Sequence, residues 1–503
     1  MGMAGDVILA IDQGTTSSRA MLVDASSNVV GMCQRDIRVN LPQPGWVNQS
    51  ASELWETTIA VCEEALADAA LKWADLSAIG ITNQRETTIL WDRSTGAPLA
   101  DAIVWQSRQS SDIIERWQKA GLAPAVRSTT GLVLDPYFSA SKIRWLFDQD
   151  PILEQRARAG EVCFGTVDSW LIWNLTGGLH LTDVTNASRT MLFDIHRREW
   201  SSDMLDRLEI PPEILPTVVP SSGRLATSSE RYGSVPIAGI AGDQHAALFG
   251  QACFKPGMAK STYGTGSFVV MNTGARPATS MSGLLTSPAW SLPPDDPFAL
   301  EGAVLVSGAA VQWLRDGLGI IGSAQEVERL AKTVSDSGGV VFVPALTGLG
   351  APEWDSDARG TILGITRGTT AAHIARATLE AMASQVAALM SLMSAESDLE
   401  LTELRVDGGA ARNDLLMQLQ ADLLGVPVCR SAITETTALG AAWLAGLGQG
   451  IWSDTVELAA HWRSDRRFDP QMSADERLSR LDQWQRAVER SRGWIQAGAD
   501  SVS

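Results

Sequence analysis

A carboxylate at the end of an apolar run, followed by a hydroxyl-rich turn and a guanidinium, can hold a phosphate together with its metal ion. The stretch Ile8 to Arg19, ILAIDQGTTSSR, has this arrangement. The apolar run stops at Asp12, a Gly-Thr-Thr-Ser-Ser turn follows, and Arg19 opens a second apolar run ending at Asp24. Gly14 lets an anion sit against backbone N–H groups. Thr15, Thr16 and Ser17 add hydroxyls, Arg19 adds a permanent positive fork, and Asp12 can hold Mg2+ directly or through water. A surface hairpin with its hydroxyls in water has the same composition.

Asp243 stands between an apolar strand and an apolar helix, flanked by Gly242 and Gln244. It can cap the helix. It can also serve as a general base, taking a hydroxyl proton while that oxygen attacks a phosphoryl group. Arg85 and Glu86 end a strand. They form either a hairpin salt bridge or a grip on vicinal hydroxyls, the arginine donating and the glutamate accepting. Trp105, Tyr137 and Phe268 are core rings taken singly. Together they would cover the C–H face of a polyol and offer one phenol hydroxyl. Gly408-Gly409 with Asn413 is a strand–helix turn whose glycines also admit a flat base or ribose. His245 reads as a helix-start residue, neither catalyst nor metal ligand. No G-x4-G-K-[ST] loop occurs, and Gly264-Thr265-Gly266 leads into a strand without a third glycine, so P-loop and dinucleotide readings are weak.

The elements that must position these residues alternate strand and helix, an α/β pattern. Residues 6–35 read as three antiparallel strands, 52–70 as a helix capped by Ser50 or Ser52, and 222–236 as a loop. Residues 258–273 repeat the strand, Gly/Thr turn, strand order of the opening, so the second half is expected to copy the first in architecture. Further on, 303–320 and 371–393 read as helices, 339–346 as a strand, and the last fifty residues as a charged, helical surface tail. Polar residues at strand ends are where open α/β sheets bind ligands.

At 503 residues the chain is too long for one ordinary core. Its 40 basic and 58 acidic residues give a net charge of −18. That argues against nucleic acid or an anionic membrane as partner. A phosphate site must then be built locally. The five cysteines are spread singly, which suits reduced thiols in the cytoplasm. No signal peptide and no long apolar run is seen, so no membrane insertion is expected.

Eleven stretches, among them IDQGTTSSRA, GITNQRETT, AIVWQSR, LDPYFSASK, GIAGDQHAALFGQ, YGTGSF and LRVDGGAARND, together resemble the FGGY carbohydrate kinases over about residues 6–450. NQRETT with LDPYFS is closest to the glycerol-phosphorylating branch. The resemblance implies two actin-like ATPase (ribonuclease H-like) domains flanking a deep cleft. Their bounds would be 1–252 and 253–450, with a helical tail at 451–503. It implies ATP-dependent phosphorylation of glycerol to sn-glycerol 3-phosphate, with Mg2+. Carried over by residue, Arg85, Glu86, Trp105, Tyr137, Asp243, Gln244 and Phe268 would hold glycerol. Asp243 and Arg19 would be catalytic, and Asp12 and Asp243 would meet the metal. Thr15, Thr16, Ser17, Arg19, Thr265, Gly308, Gln312, Gly409 and Asn413 would contact the nucleotide. A homodimer or homotetramer in the cytoplasm is implied. The loop 222–236 lacks the Gly-Gly-Lys-Gly segment and the histidine through which some bacterial relatives are regulated. A kinase for another small polyol or sugar, such as erythritol or a ketopentose, and a non-kinase actin-like ATPase are the other readings.

Overall fold

The computed structural model describes residues 6–495. Two sheets organise it. The first contains β1 (Val7–Gln13), β2 (Ser17–Asp24), β3 (Val29–Asp36), β4 (Ala78–Asn83), β5 (Ser222–Thr227) and β6 (Pro236–Gly242), in the spatial order β5-β6-β4-β1-β2-β3. β1, β2 and β3 are antiparallel, β4 joins β1 and β6 joins β4 in parallel, and β5 closes the edge antiparallel. β1 and β4 are buried along their whole length, which is why they read as unbroken apolar runs rather than alternating ones.

The second sheet contains β7 (Ala259–Tyr263), β8 (Ser267–Gly274), β9 (Leu285–Pro288), β10 (Phe298–Val304), β11 (Leu404–Asp407), β12 (Val428–Ser431) and β13 (Ser464–Phe468), in the order β9-β10-β8-β7-β11-β12-β13. The scheme is the same. A hairpin, β7–β8, takes a third antiparallel strand on one side and two parallel strands on the other. The duplication expected from the two Gly/Thr turns is therefore present in the backbone.

Helices cover and join the sheets: α1 (Ala51–Asp68), α2 (Asp243–Gly250), α3 (Gly308–Asp316), α4 (Ala371–Ser397), α5 (Asp414–Leu424), α6 (Thr436–Gln449) and α7 (Ala474–Ser491). Ser50 caps α1, its Oγ accepting the Glu53 N–H at 3.2 Å. Residues 84–221, between β4 and β5, form a helical layer with its own core around Ile103, Trp117, Phe138 and Phe164.

α6 lies between β12 and β13 of the second sheet in sequence yet packs across β1, β4, β6 and α2. Its small residues allow this. A Cβ on Gly440 would stand 1.8 Å from the Ala246 carbonyl oxygen, so only glycine lets the two helix backbones touch. Ile8, Ala246, Val270 and Trp443 share one core. The two halves thus meet through close-packed backbone, and strain at the crossing passes directly to the site above it.

Three expectations are corrected. Residues 222–236 are not a loop, because Ser222–Thr227 pairs with β6 as an edge strand; its mixed polar composition suits a strand with one wet side. The expected helix at 303–320 shrinks to α3, its first residues being the end of buried β10. The expected tail is not all surface or helix: β13 completes the second sheet, and Trp484 and Val488 of α7 are buried. Its residues beyond 495, like residues 1–5, lie outside the described residues. Among the described residues no helix is long and apolar enough to cross a membrane.

Candidate active site

The register of the first hairpin places its charges. Asp12 and Arg19 are direct cross-strand partners, one pair in from the turn, so their side chains share a face. Arg19 Nη1 lies 3.2 Å from Asp12 Oδ2, and its Nε and Nη2 donate to Gln34 Oε1. Thr16 at the turn tip is exposed, while Thr15 and Ser17 are half-buried. The turn is held from behind: Gln49 donates to the Thr15 carbonyl at 2.6 Å, and Trp105 Nε1 donates to Thr15 Oγ1 at 2.8 Å.

Asp243 is the first residue of α2, and the cap position belongs to Gly242. The helix N-terminus favours a carboxylate there. Its Oδ1 accepts the Gln244 N–H at 2.6 Å and lies 3.0 Å from Arg85 Nε, without the alignment of a hydrogen bond. Burial, with Asp243 and Glu435 facing it, pushes the Asp12 carboxyl up to about 6 despite Arg19. Asp12, its charge opposed by Asp243 and Glu435, is a carboxylate that a divalent cation would suit. Among the described residues no three His, Cys, Asp or Glu side chains converge closely enough to hold a metal alone. Such an ion would complete its shell with phosphate oxygens and water, as Mg2+ usually does.

Arg85 and Glu86 are buried and do not form the simple hairpin bridge; their charged groups are 3.9 Å apart. Each has another partner. Arg85 Nη1 and Nη2 donate to the two oxygens of Glu301 at 2.6 and 2.8 Å, reaching from the first half to β10 of the second. Glu86 Oε1 accepts from Arg189 Nε at 2.6 Å, and Arg189 Nη2 also reaches Glu301 at 3.2 Å. The two arginines and two glutamates balance. Burial raises the Glu86 carboxyl, whereas Glu301, clasped by both arginines, lies well below the usual carboxylate range. Removing one member of such a cluster typically costs about 3–5 kcal/mol. Glu86 has φ +60°, with Thr87 N–H bonded to the Arg85 carbonyl across it. This γ-turn pattern is strained for a non-glycine residue and aims Glu86 back under the cleft.

The three aromatic rings come together from separate elements. Trp105 meets Tyr137 at 5.3 Å and Phe268 of β8 at 6.3 Å, both nearly perpendicular. Lys142 donates to the carbonyls of Pro136, Tyr137 and Phe138 and so pins the loop that carries the phenol; burial pulls its ammonium down to about 7. His245 is buried and bonded to Ser287 at 2.9 Å, and burial with Arg85 beside it holds the ring neutral.

The second hairpin and its neighbours gather the remaining residues. Gly308 and Ala309 N–H groups, at the start of α3, bond the Gly264 and Thr265 carbonyls at 3.0 Å each. Gln312 is on the exposed side of α3. β11 lies beside β7, so Gly408 follows directly against Tyr263. Gly408 has φ +87°, and a Cβ there would stand 2.5 Å from the Tyr263 carbonyl oxygen. Gly409 faces open space. Asn413 caps α5 through its Oδ1, which accepts the Leu416 N–H at 2.9 Å, leaving its amide hydrogens unspent.

Sequence reasoning missed Glu301, Arg189, Glu435 and Lys260. A signal existed for two of them: Glu301 in FALEGAV and Lys260 in AKSTY are single charges in otherwise uncharged strands.

Two sheets built on one plan, joined by the charged contact of Arg85 and Arg189 with Glu301, define a phosphotransferase of the actin-like fold. The chain belongs to the FGGY family of carbohydrate kinases, the N-terminal domain of that family matching residues 7–250 and the C-terminal domain residues 259–448. It is 58% identical to a glycerol kinase of Aromatoleum aromaticum, over 97% of this chain and 99% of that one. It is 55% identical to a glycerol kinase of Bordetella parapertussis, over 99% of each. Among solved structures, the glycerol kinase of Plasmodium falciparum with ADP superposes with a TM-score of 0.92 at 34% identity, covering 98% of this chain and 99% of that one.

Proposed function

We propose that this protein transfers the terminal phosphoryl group of ATP to a terminal hydroxyl of glycerol, giving sn-glycerol 3-phosphate and ADP. Asp243 carries the proposal: a partly exposed carboxylate at a helix start, near enough to Asp12 of the first hairpin for its charge to be felt there. It accepts the hydroxyl proton as the oxygen attacks phosphorus and the bond to ADP breaks. General base help of this kind is typically worth about 10²–10⁴ in rate. Arg85 Nε, Glu86, Gln244 and the Tyr137 hydroxyl hold the polyol, and Trp105 and Phe268 cover its carbons. Each Nη of Arg85 spends one N–H on Glu301, and its Nε, which has no aligned hydrogen-bond partner, remains to serve the substrate. Arg19 and the N–H groups and hydroxyls of the first turn offset charge on the moving phosphoryl group. Thr265, Gly308, Gln312, Gly409 and Asn413 hold the nucleotide. Asp12 and Asp243 would hold Mg2+, which when bound neutralises phosphate charge. The cytoplasm is the compartment this chemistry suits.

The full-length similarity to proteins named glycerol kinase supports glycerol, and the tight aromatic trio supports a three-carbon substrate. A coupled assay across glycerol, erythritol and ketopentoses at equal ATP tests this. Glycerol is expected to give the highest kcat/KM; a higher value for erythritol or a ketopentose would replace it as the substrate.

A further inference from the structure

Lys260 is the only charged residue of β7, and it is fully buried. Its ammonium donates to Gln244 Oε1 and, at 3.0 Å, to Thr262 Oγ1. Asp407, Asp243 and Glu301 offset its charge and Arg85 opposes it, while burial holds its pKa below the ordinary lysine value. An ammonium has donors only. Gln244 must therefore turn its carbonyl oxygen toward Lys260, which leaves the amide NH2 as the end free to donate elsewhere. Without such a partner the two amide orientations are nearly isosteric, and either can be adopted. The Gln244 backbone N–H is already spent on Asp243.

We propose that Lys260, reaching from the second sheet to α2 of the first half, is a positioning residue that fixes Gln244 as a hydrogen-bond donor to the substrate. Asp243 then takes a proton from one hydroxyl, and Gln244 gives a hydrogen bond to another oxygen of the same polyol. Specificity for a polyol is set by this fixed acceptor–donor pair. The inference rests on the reading of Asp243 and Gln244 as substrate-side groups.

Steady-state kinetics on Lys260→Met, Lys260→Arg, Gln244→Ala and the double variant test it, with glycerol and ATP varied separately. Lys260→Met should raise the KM for glycerol roughly three- to tenfold, the worth of one neutral hydrogen bond, and leave the KM for ATP within about twofold. Lys260→Arg, which also only donates, should restore most of the loss. The double variant should be no worse than Gln244→Ala alone, because both remove the same contact. Multiplying losses in the double variant, or an unchanged glycerol KM in Lys260→Met, would overturn the proposal. Should Lys260→Met not fold, Gln244→Glu decides: it keeps two acceptors for Lys260 but no donor. It should match Gln244→Ala in glycerol KM, and a near-normal value would count against the inference. Wild-type turnover separates the two levels: none with glycerol sinks the substrate reading and this proposal with it, whereas normal turnover with an unaffected Lys260→Met sinks only the proposal.

Discussion

The two hairpins, β1–β2 and β7–β8, have nearly the same backbone and opposite chemistry. One pair in from the turn, the first sets Asp12 against Arg19; the second sets Thr262 against Phe268. The first turn adds Thr15, Thr16 and Ser17 to an ion pair. The second offers Gly264, Thr265 and Gly266, and its carbonyls hold the start of α3. In the proposed reaction the duplicated fold would supply two similar grips on a long anion, with side chains at equivalent register deciding what each grip does. Charge would lie where bonds are to break. On the other side, backbone, one hydroxyl and space would hold the rest of the ligand. Glu301 and Lys260 are the exceptions, and both reach back from the second sheet to side chains of the first half.

If this contrast is right, substitutions in the first half should dominate turnover. Asp243→Asn should lower kcat by about 10²–10⁴ while ADP binding, read by calorimetry, stays within a few-fold; near-normal kcat would remove Asp243 from the base role. Arg19→Ala should lower kcat by about 10²–10³. Thr265→Ala, in the turn of the second hairpin, should cost no more than about tenfold and appear in the KM for ATP, the scale of one neutral hydrogen bond. Equal losses for Arg19→Ala and Thr265→Ala would erase the distinction between the hairpins.

The smallest effect on turnover is expected from Asp168→Asn, which separates charge that serves the fold from charge that serves the reaction. Asp168 is buried in the first half, bonded by Thr166 and Thr182. Burial, with Asp183 nearby, pushes its carboxyl up to about 7. A carboxyl raised above its unfolded value of about 3.9 keeps its proton better in the fold, so it favours folding at low pH, and that contribution fades as pH rises from about 4 through 7. Asp168→Asn should therefore gain melting temperature over wild type at pH 8 more than at pH 5, with kcat unchanged. A variant with the same pH slope as wild type would show that Asp168 is not the group responsible.

Much of this was legible before any coordinates. The first hairpin, the strand–Asp243–helix junction and the repeat near residue 260 follow from apolar runs that stop abruptly on small polar residues, a local signal. What escaped depends on contacts distant in sequence. Glu301 meets Arg85 216 positions away, and nothing near either residue announces the other. Arg189 lies among small polar residues, TNASRT, that carry no periodic signal. The edge strand at 222–227 has one wet side, which blurs its alternation, and β13 carries three charges in five residues, SDRRF, so its hydropathy argues against a strand that pairing alone creates. The packing of α6 beneath the first sheet was visible only as a run of small residues, whose partners lie 186 or more positions earlier.

The central claim is that phosphoryl transfer waits for a triol seated between Asp243 and the first hairpin. ADP release by the wild-type enzyme, measured with Mg-ATP in the presence and absence of glycerol, tests it most directly. ADP is expected to form rapidly with glycerol, in step with glycerol 3-phosphate, and at least a hundredfold more slowly without it, because the reactive arrangement closes, and water is shut out, only around a bound polyol. Equal ADP release with and without glycerol would contradict the account.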